Sequence, residues 1–330
     1  MEVIMNLLLV LIGTGGHIIP LLPLIPELKR EDFKVFTVSR MVGVERKLVK
    51  DPDLIITLYP FLGPKAILAL IIATIRVYRF MKIKKIRAVL ASGSFGSVPA
   101  IVAAILLRTP YFLLELNRIP GRMVRVFATR ARAVFVALPL VRGLKGRVIE
   151  TGLPLRDGFK ELKAQGDYIL IMGGSQGARF LNHLAIYLSE RTDEPIQVIT
   201  GLRDYEWMRK KGDGLEVIPF TEEPWAVMRS AKVVISRAGG LATYELASCQ
   251  IPMILIPYPY ATDDHQRING DYYVERSGAL VIEEGTVEEV GDQILSILKS
   301  KEYIRLRMRT PPVDGRDRII HEVKRLCLVG

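Results

Sequence analysis

Apolar runs recur along the chain at intervals that leave room for one helix between each pair. In the first half they are Val3 to Ile12, Lys34 to Val38, Leu54 to Leu58, Ala88 to Ala91, Tyr111 to Leu114 and Ala133 to Val136. In the second half they are Tyr168 to Met172, Gln197 to Thr200, Leu215 to Pro219, Val233 to Ser236, Met253 to Ile256 and Ala279 to Ile282. The runs are continuous rather than alternating, as strands are when helices cover both faces of a sheet, so the pattern predicts an α/β protein built on parallel sheets. The series pauses at Thr151-Gly-Leu-Pro-Leu-Arg156, and the charged stretch Asp157 to Asp167 separates it from the next run. A domain boundary placed there gives two Rossmann-like domains, 1–155 and 156–315, their sheets facing across a cleft. Ligands of such folds bind at the carboxyl ends of the strands. After Pro311-Pro312, Arg318 to Leu328 reads as a helix, within about 316–330, that packs back on the N-terminal domain.

Four of the predicted strands run into glycine turns that open helices: Gly13-Thr-Gly-Gly-His17, Ser92-Gly-Ser-Phe-Gly-Ser-Val-Pro99, Gly173-Gly-Ser-Gln-Gly-Ala178 and Arg237-Ala-Gly-Gly240. Backbone N–H groups and the positive end of a helix suit a diphosphate, and glycine lets the backbone come close to it. The last junction continues through Gly240, Leu241, Ala242, Thr243 and Tyr244 to Glu245, a carboxylate suited to ribose hydroxyls. Asp263-Asp-His-Gln266 follows downstream. Together these residues read as a nucleotide-diphosphate cradle with a polar reader beside it.

Composition changes the picture in two ways. Cys249 and Cys327 are the only cysteines, so a disulfide framework is not expected and a reducing cytoplasm is the default. The apolar start ends in a glycine turn and reads as a core strand rather than a signal peptide. Charge is uneven: up to Leu155 there are 23 Lys and Arg against 9 Asp and Glu, a balance of +14, whereas the remainder of the chain balances at −3. Such a half attracts anionic membrane, nucleic acid or an anionic substrate. No nucleic-acid reading motif or aromatic stacking series accompanies the charge, so nucleic acid is not an expected partner. The apolar segment Ala66 to Ile75 is followed by Arg76, Arg79, Lys82, Lys84, Lys85 and Arg87. It falls short of the roughly 20 apolar residues that span a bilayer, so the choice lies between a buried core helix and one that dips into an anionic membrane interface. Asp51-Pro-Asp53 reads as a turn, and Asp263-Asp264-His265 lacks the spacing of a coordination sphere, so neither metal nor cofactor is expected.

In their order along nearly the whole chain, these motifs resemble the MurG family. So do Glu115 and Asn117 before Ile119-Pro-Gly121, the Gly-Leu-Pro-Leu-Arg156 stretch and the Asp-His-Gln266 piece. The family consists of cytoplasmic glycosyltransferases of two-domain GT-B architecture. The resemblance implies transfer of N-acetylglucosamine from UDP-GlcNAc to lipid I, giving lipid II for peptidoglycan at the cytoplasmic face of a bacterial plasma membrane. It also implies a donor site of Thr14, Gly15, Gly16, Asn117, Arg156, Ser175, Thr221, Gly240 to Glu245 and Gln266. In that site Glu245 would hold ribose, Ser175 and the glycine loops diphosphate, and Gln266 the sugar hydroxyls. The chain departs from the family where Leu114-Glu-Leu-Asn117 replaces the usual His-Glu-Gln-Asn and where Leu153 replaces Asn. An α-linked donor and a β-linked product imply single displacement with inversion, which needs a general base. His17 is the first candidate, since imidazole titrates near working pH, and Glu115 the second. The alternative within enzymes is another GT-B activity on UDP-GlcNAc, with a different lipid acceptor or as an epimerase.

Overall fold

The computed structural model describes residues 5–59, 63–159, 166–174, 177–212 and 214–328. It divides into two compact units, one running to Leu155 and resuming at Asp314, the other comprising Arg156–Val313. The first holds a seven-stranded sheet: β1 (Met5–Val10), β2 (Phe33–Ser39), β3 (Leu54–Ile55), β4 (Ala88–Ser92), β5 (Tyr111–Glu115), β6 (Ala133–Val136) and β7 (Val148–Glu150). Their order across the sheet is β3-β2-β1-β4-β5-β6-β7, with every pairing parallel. The second unit repeats the plan with β8 (Tyr168–Met172), β9 (Ile196–Ile199), β10 (Glu216–Ile218), β11 (Ala231–Ser236), β12 (Met253–Leu255) and β13 (Ala279–Val281). The order is β10-β9-β8-β11-β12-β13, again parallel throughout.

The continuous apolar runs are what such sheets require. Leu7, Leu8, Leu9 and Val10 of β1 are all fully buried, so both faces of the strand are covered. Two departures from the sequence reading lie at an edge. The run from Leu54 to Leu58 pairs only as Leu54–Ile55, and β7, with Val148 and Glu150 exposed, has too little apolar character to stand out in the pattern. The C-terminal helix, Arg316–Leu328, packs against the helix Leu24–Arg30 of the first unit, and Lys324 reaches Glu31 at 2.8 Å.

The segment Ala66 to Arg87 lies largely in the helix Pro64–Ile83, which packs on the helix Val98–Leu107. Only Ala73, Val77 and Met81, one stripe at helical spacing, are buried. Ile67, Leu68, Ile71, Ile72 and Ile75 are each about half exposed, at 48–58%. A wholly buried core helix is therefore not what forms. No helix among the described residues is long and apolar enough to cross a membrane.

Candidate active site

In each sheet one pair of neighbouring strands sends its following helices in opposite directions, β1 and β4 in the first unit and β8 and β11 in the second. Crevices at such switch points, outside the carboxyl ends of the strands, are where doubly wound folds take ligands. All four glycine junctions fall there.

At the β1–β4 crevice, Gly13 stands at φ 136°, a conformation that disfavours a side chain, and an added Cβ would also lie 3.0 Å from the Cβ of His17. Thr14 caps the short helix Gly15–Ile18 in extended conformation with no side-chain hydrogen bond, and its carbonyl accepts from the His17 N–H at 2.9 Å. Ser94, from the second junction, donates its Oγ proton to the Ile12 carbonyl at 2.7 Å, tying the two loops together. The His17 ring is half-buried, and its Nδ1 is shielded from solvent with no hydrogen-bond partner among the described residues. Burial lowers its pKa from 6.5 to about 4, so the imidazole is neutral at ordinary pH.

One residue that the sequence reading overlooked organises this crevice. Glu45, fully buried, accepts from the Gly13 N–H at 3.1 Å, from Ser39 Oγ at 3.0 Å and from the Arg40 N–H and Nε at 2.8 Å each. In sequence it lies in a charged stretch that looks like solvated surface. Its only cue is the brevity of the loop after β2.

Glu115 ends β5 beside the same crevice. Its Oε1 accepts from the Asn117 N–H at 2.9 Å and from Asn117 Nδ2 at 3.2 Å, while Oε2 accepts from the Gly121 N–H at 2.7 Å. Burial raises the Glu115 pKa, and these donors, Asn117 and Gly121 foremost, oppose the rise. The carboxylate thus holds the turn from Asn117 to Gly121. The apolar replacements fit their surroundings: Leu114, Leu116 and Leu153 are all buried, so the family's polar side chains are exchanged for packing.

At the β8–β11 crevice, Gly174 and Gly177 both have positive φ, 75° and 72°, and Gly177 donates to the Gly174 carbonyl at 3.0 Å. Ser175 lies outside the described residues. The helix Gly240–Ser248 begins at Gly239 with no side-chain cap, which leaves its first turn, with Gly240, Leu241 and Ala242, suited to an anion. Thr243 donates its hydroxyl back to the Gly239 carbonyl at 2.8 Å, and the buried Tyr244 ring sends its hydroxyl to the Val313 carbonyl at 2.7 Å.

Arg156 gathers this site. Its Nη2 and Nε reach the Glu245 Oε1 at 2.6 and 3.2 Å, and its Nη1 donates to the Glu222 carbonyl at 3.1 Å. The guanidinium also lies over the Phe159 and Trp225 rings, 5.2 and 5.0 Å from their centroids. Glu245 is buried, which raises its pKa, and Arg156 pulls against that rise. Thr221 accepts from the Glu223 N–H at 3.0 Å, closing the turn that carries the Glu222 carbonyl. Gln266 accepts from the Tyr258 N–H at 2.9 Å through Oε1, so Nε2 is the end it offers a ligand. Arg237, which opens the last glycine junction, pairs with Glu284 and donates to the Ile256 carbonyl at 3.1 Å, bracing the same crevice.

Asp53, by contrast, serves the first sheet: its Oδ2 accepts from the Thr37 N–H at 2.8 Å. Both cysteines are free thiols, and burial pushes each up to about 11.

Comparison with known proteins agrees with this geometry. Residues 7–136 match the glycosyltransferase family 28 N-terminal domain, and residues 168–323 match the C-terminal domain of that family. The UDP-N-acetylglucosamine--N-acetylmuramyl-(pentapeptide) pyrophosphoryl-undecaprenol N-acetylglucosamine transferase of Solibacter usitatus is 34% identical over 291 residues, covering 81% of this chain and 80% of that protein. The enzyme of the same name from Desulfotalea psychrophila is 30% identical and covers 95% of each chain. In fold, the crystal structure of Acinetobacter baumannii MurG is similar at a TM-score of 0.75, with 24% identity and coverage of 97% and 99%. A UDP-GlcNAc 2-epimerase from Neisseria meningitidis bound to UDP-GlcNAc is also similar in fold, at 0.71 with 13% identity and the same coverage. The fold is GT-B, and with both domains matched over most of its length the chain belongs to the MurG family within glycosyltransferase family 28.

Proposed function

We propose that this protein moves N-acetylglucosamine from UDP-GlcNAc to the 4-hydroxyl of the N-acetylmuramyl group of lipid I, forming lipid II with inversion at the sugar carbon. The observation that carries the reading is the pair of glycine-lined switch-point crevices, one holding a neutral histidine and the other an arginine–carboxylate pair at an uncapped helix N-terminus. The second crevice suits the donor: the first turn of Gly240–Ser248 takes the diphosphate, Glu245 the ribose, and the turn at Thr221 the base. Thr14, Gly15, Gly16, Asn117 and Ser175 belong to the donor set by motif alone.

His17 is the general base. A base must be unprotonated to work, and burial keeps this imidazole so across the neutral range. It takes the proton of the attacking hydroxyl as the new bond forms and the bond from sugar to UDP breaks. The helix dipole and Arg156 stabilise the departing diphosphate without a metal. Glu115, with both oxygens held by its own loop, shapes the crevice and ranks second as a base.

The acceptor's lipid places the enzyme at an anionic membrane surface on the cytoplasmic side. The exposed isoleucine and leucine face of Pro64–Ile83 enters the interface, and Lys65, Arg76, Arg79 and Lys82 meet headgroups. A hollow of about 360 Å³ lined by Tyr59, Leu68, Ile72 and Arg76 lies along this helix and suits the acceptor's apolar part.

Incubating the protein with UDP-GlcNAc, with and without a short-chain lipid I analogue, tests the reading. Acceptor-dependent disaccharide supports it. Conversion of UDP-GlcNAc to an epimer in the absence of acceptor would replace it with the epimerase alternative, whose likeness here rests on fold alone.

A further inference from the structure

At the edge of the seven-stranded sheet opposite the glycine loops lies a cavity of about 1160 Å³. It is walled by residues that begin or directly precede β1, β4, β5, β6 and β7, and by the carboxyl ends of the helices Val98–Leu107 and Arg316–Leu328. Among the described residues, every charged residue in its lining is a cation: Lys85, Arg87, Arg108, Arg130, Arg132 and Arg147. Among the described residues none of the six is ion-paired. Arg132 is fixed in place, its Nε donating to the Leu326 carbonyl at 3.1 Å.

Cations at helix carboxyl ends answer the negative end of the helix dipole, so a few would be expected here. Each such end carries about half a negative charge. The helices that finish at this edge, the end of Pro64–Ile83 included, offset only a small part of six full positive charges. The cavity therefore keeps a strongly positive potential. Five of the six cations are arginine, whose planar guanidinium matches two phosphate oxygens at once. The hollow is open to solvent on one side and, at about 1160 Å³, has room for a small multiply charged ligand.

We infer that this cavity binds a multiply charged, phosphate-bearing anion, either a free polyphosphate ion or the phosphate headgroup of an anionic lipid. The site is separate from the glycine-loop crevice, since the two occupy opposite ends of the same strands. Nothing in the proposed transfer reaction uses it.

Calorimetric titration of the full-length protein, with UDP present at saturation, tests the inference using inorganic tripolyphosphate and monomeric dihexanoyl phosphatidate in parallel. At least one ligand binds, more weakly as salt rises. The exposed-site variant Arg108→Gln/Arg130→Gln/Arg147→Gln loses tenfold or more in affinity at an unchanged Tm. Tighter binding of tripolyphosphate identifies a free anion as the source; tighter binding of phosphatidate identifies a lipid headgroup. A second readout needs no variant. Cys327 lines the cavity, so saturating ligand slows its labelling by a thiol reagent several-fold, followed by peptide mass spectrometry. Equal binding by wild type and variant, or a Cys327 labelling rate unmoved by either ligand, would overturn the inference.

Discussion

His17 joins two properties that an exposed histidine lacks: an imidazole kept neutral by burial, and an Nδ1 with no partner among the described residues. Its pKa of about 4 places the acid limb of the transfer rate well below the ordinary histidine value of 6.5, and a pH–rate profile of the wild-type enzyme reads this directly. The same shift links to stability. Between pH 6.5 and about 4 the unfolded chain takes up a proton at this position that the folded chain does not, so stability is full above that window and falls as pH falls through it. In His17→Ala, urea unfolding followed across the same window loses part of that slope, and turnover drops by roughly 10²- to 10⁴-fold with the loss of the proposed base. Glu45 ties the glycine loop to the end of β2. Glu45→Ala strips Gly13, Ser39 and Arg40 of a shared buried acceptor, and breaking such a buried pair costs about 3 kcal/mol, measurable by denaturant titration. Retention of wild-type stability in that variant would show that the carboxylate is not what holds the glycine loop.

The helix Pro64–Ile83 shows at the scale of an element how one segment serves two surroundings. Its Ala73, Val77 and Met81 stripe holds it on the unit, while its outer face spends apolar area on solvent. Ile71→Glu/Ile75→Glu leaves Tm nearly unchanged and removes co-sedimentation with anionic liposomes; co-sedimentation equal to wild type would separate this helix from the membrane. The loop after β8 makes the opposite case. A Cβ on Gly177 would sit 2.2 Å from the Thr200 carbonyl oxygen in addition to the strain of φ 72°, so Gly177→Ala destabilises the second unit by more than the roughly 1–3 kcal/mol of backbone strain alone. Thermal unfolding checks it. Elements of this kind were legible because period and turn chemistry are local: β6 and β8 have the bounds their apolar runs gave, and Arg318 to Leu328 extends by only two residues. What stayed hidden was tertiary. β7 is an exposed edge held by its neighbour β6, and Glu45 acquires its role only when Gly13, 32 positions away, is folded against it. Arg156 was marked by motif, but its span from Glu245 to the Glu222 carbonyl, across 89 and 66 positions, has no signature in spacing.

Across the whole molecule, one strand plan serves twice with different charge. The first unit carries the positive excess of the N-terminal half, a half-exposed apolar helix and a neutral histidine; the second carries the arginine–carboxylate pair and the uncapped helix suited to a nucleotide. The division is what a transferase between an amphiphilic acceptor and a soluble anionic donor requires, since each substrate needs a different solvent environment. A half-exposed apolar helix marks an interaction surface, which a lipid-borne acceptor accounts for directly. Acceptor-dependent, inverting transfer is what separates this enzyme from the epimerase alternative. The decisive experiment is to determine by NMR the anomeric configuration of the disaccharide formed from UDP-GlcNAc and a lipid I analogue, with a reaction lacking acceptor run beside it. A β-linked product that appears only with acceptor, and is lost with His17→Ala, is the predicted result. An α-linked product, or turnover of UDP-GlcNAc that does not need the acceptor, would contradict it.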